Sequence, residues 1–68
     1  MNTSFAIRLK ELRSEKQVGQ TELAKAIGVS NGTISLWENG LREPTLTNLL
    51  ALAKYFKVSL DYLVGLED

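Results

Sequence analysis

Two short helical repeats separated by three residues restrict this chain more than any other feature it has. Residues 20–27 put Leu23, Ala24 and Ile27 on one side of a helix, and residues 31–38 do the same with Ile34 and Trp37. Only Gly28, Val29 and Ser30 stand between them. Glycine leaves a helix through the left-handed region without steric penalty, and serine is a preferred cap for the helix that follows. A connection this short makes the two helices cross steeply, and the small side chain of Ala24 suits a close crossing. No stretch alternates with period two over a useful length, so the pattern predicts no sheet.

Three further helices are expected around this pair. Residues 4–17 repeat Phe5, Leu9, Leu12 and Lys16 at helical spacing, with Thr3 or Ser4 as the cap and Val18-Gly19 as the break. Asn39-Gly40 stops the second central helix, and residues 41–44 read as a loop closed by Pro44. Thr45 caps residues 46–56, whose stripe is Leu46, Leu49, Leu52, Ala53 and Phe56, and Lys57-Val58 ends it. Ser59 then caps a short turn carrying Leu60, Leu63 and Val64 and ending at Gly65. Trp37 and Phe56 read as packing residues rather than stacking platforms. The expected architecture is all-α, a compact five-helix bundle forming one domain over residues 1–68, with the helix-turn-helix at about 20–38. At this length about 60% of the unfolded surface is buried, enough for one small core.

Composition removes several functions. There is no cysteine, hence no disulfide framework, thiolate nucleophile or zinc–thiolate site. Histidine, the commonest general base and metal ligand, is also missing. The chain is therefore expected not to be an enzyme and to hold no metal or cofactor, and no small-molecule ligand is evident. No apolar run approaches the roughly 20 residues of a membrane span, which suits a cytoplasmic protein. Eight basic and eight acidic residues cancel, so total charge announces no polyanionic partner. The distribution is uneven: Arg8, Lys10, Arg13, Lys16 and Lys25 outnumber Glu11, Glu15 and Glu22 near the start, whereas Asp61, Glu67 and Asp68 end the chain.

The outward face of residues 31–38 carries Asn31, Gly32, Ser35 and Leu36. An uncharged, hydrogen-bonding face is odd as plain surface. Base edges in a DNA groove give it a purpose, because Asn and Ser offer directional donors and acceptors without net charge. The same spacing also suits an ordinary helical interaction module, and periodicity alone leaves both readings open.

The residues themselves carry a resemblance. The stretch QTELAKAIGVSNGTISLWENGLREP, and nearly the whole chain from Ile7 to Gly65, resembles the Cro/CI-type (XRE) helix-turn-helix family of phage and bacterial regulators. Within it, the lambdoid-phage repressors look most alike, with their VSN..IS.WE pattern and EP…NLLALAK run. Four places are specific: Gln20 opening the first motif helix, the Ala24-to-Gly28 turn, the Ser30/Thr33/Ile34/Ser35 recognition helix, and the Glu38-Asn39-Gly40 terminus. The resemblance implies a sequence-specific DNA-binding transcriptional regulator, a repressor of phage or XRE type that binds a palindromic double-stranded operator as a homodimer. The alternative is a protein-binding helix-turn-helix module such as an antitoxin, whose sign would be an added strand or tail to wrap its partner. Gly65-Leu66-Glu67-Asp68 fits both the end of a small regulator and the start of a linker to a further domain.

Residue by residue, the resemblance implies base contacts from Asn31, Gly32, Ser35 and Leu36, with Asn31 suited to adenine and Leu36 to a thymine methyl. It implies DNA-backbone contacts from Gln20, Ser30, Thr33, Asn39 and Arg42. Ser30 is a helix cap first, and Asn39 serves equally well as a helix C-terminal residue. Arg13 and Glu38 match an internal ion pair, a structural feature and not a DNA contact. Tyr62, Leu63 and Leu66 resemble the patch through which relatives form two-fold dimers, although Tyr62 equally suits packing on its own helix. Gly32 departs from the family's bulkier, polar residues and costs about 1 kcal/mol in a helix interior relative to Ala. Neutral variation and a clash of any larger side chain with DNA both account for it.

Overall fold

In the computed structural model, which describes residues 3–67, three helices begin at a hydroxyl side chain. The elements are α1 (Thr3–Lys16), α2 (Gln20–Ile27), α3 (Asn31–Glu38), α4 (Leu46–Phe56) and α5 (Leu60–Leu63), with no strand among the described residues. Ser30, Thr45 and Ser59 each sit in extended backbone and accept from the N–H three residues on, at 3.1, 3.2 and 3.0 Å. Each satisfies one of the donors that a helix start leaves unpaired.

Gly28 ends α2 at φ +88°, donating to the Ala24 carbonyl at 2.8 Å, while Val29 N–H reaches the same oxygen at 3.0 Å. Nothing lies within 4 Å of where a Cβ would stand at Gly28. Backbone hand, not space, therefore requires the glycine.

The end of α1 differs from the expected one. Gln17 takes the left-handed conformation at φ +56°, Val18 N–H bonds back to Arg13 O at 3.0 Å, and the helix stops at Lys16. Gly19 is not the breaker; its extended backbone makes it the cap position of α2. Thr3 and Ser4 both lie inside α1, so neither is its cap.

The core joins Phe5, Leu9 and Leu12 of α1 to Leu23 and Ala24 of α2, and Ile34 and Trp37 of α3 to Leu52, Ala53 and Phe56 of α4 and Leu63 of α5. Trp37 is buried edge-on to Phe5, with ring centroids 6.3 Å apart. Ile27, Val29 and Leu49 are half-buried against this cluster, whereas Leu46 is exposed, so the apolar stripe of α4 starts one turn later than its spacing suggests. The tightest association is α2 with α3; α1 backs α3, α4 backs α2, and α5 closes against α1 and α4. The result is a rigid support from which α3 presents one face. No described helix is long and apolar enough to cross a membrane.

Candidate nucleic-acid interface

The outward face of α3 follows from what its other side buries. At about 100° per residue, Ile34, Trp37 and Glu38 share the inner side, while Gly32, Ser35, Leu36 and Asn39 fall together opposite them. Asn31, Gly32 and Asn39 are exposed, and Thr33, Ser35 and Leu36 are partly covered. Asn31 is the first residue of the helix, one turn before Ser35. A Cβ on Gly32 would meet nothing closer than the Ser30 hydroxyl at 3.8 Å, so packing within the protein does not require glycine there.

Two local bonds order this face. Ser30 Oγ accepts from Thr33 N–H and lies 2.9 Å from the Thr33 hydroxyl, joining two of the expected backbone-contacting residues at the start of the helix. At the other end the Asn39 amide folds back, with Nδ2 donating to Ser35 O at 2.9 Å and to Ser35 Oγ at 3.3 Å. The Asn39 backbone N–H also donates to Ser35 O.

Behind the face sits a buried charge. The Glu38 carboxylate, 6% exposed, accepts from Arg13 Nε at 2.6 Å and from a second Arg13 nitrogen at 2.9 Å. A third donor, Gln20 Nε2, reaches it at 3.1 Å. Arg13 also donates to the Val18 carbonyl at 3.0 Å, so a single guanidinium holds the α1–α2 connection against the end of α3. Burial alone pushes the Glu38 carboxyl up. The bonds from Arg13 and Gln20, with the charges of Arg13 and Lys10, outweigh burial and leave it below the usual carboxylate range. Glu38 in turn raises the Arg13 guanidinium. The resemblance assigned Gln20 to DNA alone; its place in this triad was missed, because an 18-residue separation carries no periodic signal.

The remaining candidates separate. Leu41, Arg42 and Glu43 are exposed on the α3–α4 loop. Tyr62 is half-buried, with the Arg8 guanidinium 4.2 Å from its ring centroid. Arg8 also donates to the Tyr62 and Glu67 carbonyls at 3.1 and 3.0 Å, and Ser59 Oγ bonds Glu67 Oε1, drawing residues 62–67 onto α1. Leu66 is 76% exposed. Leu63, expected in a dimer patch, is 0% exposed: the short helix turns it inward against α1 and α4, where no partner can touch it. Among the described residues no group of His, Cys, Asp and Glu is placed to hold a metal ion.

This arrangement of helices has counterparts among known proteins. A helix-turn-helix family model matches residues 9–63. The chain is 43% identical over 65 residues to repressor protein C2 of Salmonella phage P22, covering 94% of this chain and 30% of that protein. It is 36% identical over 64 residues to the HTH-type transcriptional activator BcrR of Enterococcus faecalis, covering 94% and 31%. It thus spans about a third of the length of these relatives. The crystal structure of the P22 c2 repressor with synthetic operator 9T superposes with a TM-score of 0.87 at 40% identity, covering 93% of this chain and 96% of that one.

Proposed function

The chain belongs to the helix-turn-helix family, and on that premise we propose that it is the DNA-binding part of a transcriptional repressor. It lays α3 in the major groove of a palindromic operator and works as a homodimer in the bacterial cytoplasm, by binding and not by catalysis. The observation that carries this reading is the outward face of α3, where Asn31 and Ser35 offer hydrogen bonds and no charge. Base edges are read by such groups, whereas phosphates are held by cations, polar side chains and backbone N–H groups.

Within this reading Asn31 pairs with an adenine edge and Leu36 packs on a thymine methyl. The open space beside Gly32 supports the view that DNA, not the protein, excludes a larger side chain there. Ser30, Thr33, Gln20 and Arg42 surround α3 and serve as backbone contacts. Gln20 Nε2 has a second proton beyond the one given to Glu38, and the N-terminus of α2 favours an anion beside it. Dimerisation uses exposed Leu66 and the open side of Tyr62, without Leu63. A two-fold protein of this type reads half-sites about one helical turn, roughly 34 Å, apart.

The test is Asn31→Ala, measured by fluorescence anisotropy on an operator enriched from genomic fragments and on a random duplex. Specific binding should weaken by about 1–3 kcal/mol, while non-specific binding stays near the parent value. Equal loss on both duplexes would remove Asn31 from base reading and leave it a phosphate contact.

A further inference from the structure

The Asn39 side chain does not reach outward, although helical position puts it in the middle of the exposed face of α3. Its orientation is settled by chemistry. The Ser35 carbonyl, 2.9 Å away, only accepts, so the amide nitrogen and not the amide oxygen faces it. The same nitrogen lies 3.3 Å from Ser35 Oγ, so the amide is held against two oxygens of one residue. Two consequences follow. The nitrogen of Asn39 is engaged by Ser35, so the end of the amide left without a bond is its oxygen, an acceptor and the wrong polarity for a phosphate. The Ser35 hydroxyl, already accepting from Asn39, keeps its single proton to give.

We infer that Asn39 is a positioning residue for base recognition: by occupying one of the two lone pairs of the Ser35 hydroxyl it biases that group toward giving its proton into the groove, so that Ser35 favours a base with an acceptor edge. This inference rests on the DNA-binding reading above. In the major groove guanine presents O6 and N7, adenine N7 and thymine O4, whereas cytosine presents an amino donor. Ser35 lies one turn beyond Asn31 on the same face and reaches the neighbouring part of the half-site. A free serine hydroxyl is promiscuous, because it rotates to give or accept as the base requires. With Asn39 donating to it, one of its two lone pairs is taken and that freedom is narrowed, so a sparse face gains a discriminating position without adding a charge. The role also explains why an exposed Asn closes this helix with its side chain folded back on Ser35.

The experiment is selection of binding sites from a random duplex pool by the parent, Ser35→Ala, Asn39→Ala and the double variant, with enriched sequences read out at every position. Asn39 is exposed, Ser35 is partly covered, and neither belongs to the core, so each variant should give a parent-like circular-dichroism melt. The parent should disfavour cytosine at one position per half-site. Ser35→Ala should flatten that preference about fivefold, the worth of one hydrogen bond. Asn39→Ala should relax the same position and no other, and the double variant should be no flatter than Ser35→Ala. The nearly isosteric Asn39→Asp cannot donate and should relax that position too. If Asn39→Ala instead weakens binding evenly on selected and random DNA with every preference intact, Asn39 is a phosphate contact and the inference is wrong. If the parent enriches no sequence at all, the DNA-binding reading fails first and takes the inference with it.

Discussion

Glu38→Ala tests whether the buried charge behind α3 holds the motif together. The substitution removes the acceptor for two Arg13 bonds and for the Gln20 amide, leaving Arg13 with the Val18 carbonyl. Breaking a buried pair from one side costs about 3–5 kcal/mol. Arg13 is 18% exposed, so the stranded guanidinium regains some water and the lower end, about 3 kcal/mol, is expected. For a domain of this size that lowers the thermal midpoint by roughly 12–24 °C, readable by circular dichroism. Replacing both partners by apolar residues, Arg13→Met with Glu38→Leu, should cost less than Glu38→Ala alone, because neither charge is left unpaired. The pH dependence has a definite sign. The folded Glu38 pKa is depressed, so its contribution is complete above the unfolded value of about 4.3 and is lost as pH falls through the lower folded value. The gap between parent and Glu38→Ala should therefore be flat near neutrality and close only in acid. A midpoint within a few degrees of the parent, or a gap that closes as pH rises, would falsify this account of the triad.

Two glycines should respond in opposite directions. Gly32→Ala, in helical backbone with open space around it, should stabilise the fold by about 0.5–1 kcal/mol and weaken operator binding, whereas unchanged binding makes Gly32 a neutral variation. Gly65→Ala should destabilise, because φ is +86° and a Cβ there would overlap the Cβ of Ser4 on α1; a parent-like melt would show that residues 62–67 do not press on α1 in solution. The salt dependence of operator binding should be shallow. On the proposed reading, Lys10, Lys25 and Arg42 would supply the cations of each subunit, and Lys10 also acts on the Glu38 carboxylate. A dimer should then give a logarithmic slope of about −4 to −5, and a slope near −10 would mean that charges outside this domain supply the binding.

How far the sequence could be read depended on how local each determinant is. The helix boundaries around the motif rest on groups that act within four residues: the Ser30, Thr45 and Ser59 hydroxyls on the N–H three ahead, and Gly28 on the Ala24 carbonyl behind. Composition at single positions is enough to encode such contacts. The α1 boundary shifted because Gln17, with no local chemistry to mark it, accepts the left-handed conformation, with Val18 N–H closing on Arg13 O and Val18 packing against the core. That is a tertiary demand overriding a local preference. The same logic divides the site. Ser30 as cap is a local fact, and the bond from Asn39 to Ser35, four residues back, was accessible to helix arithmetic although the family pattern drew attention to phosphate instead. Gln20 on Glu38 and Arg8 on Tyr62 link residues 18 and 54 positions apart, and no periodicity reports them. Leu63 was misassigned for a related reason: in a single turn such as α5, spacing cannot say which of Tyr62 and Leu63 faces inward until α1 and Arg8 are in place to cover Tyr62. The roles that escaped the sequence are thus those assigned by packing between helices. Gln20, which reaches from α2 to Glu38 at the end of α3, is the one of these that stands at the site.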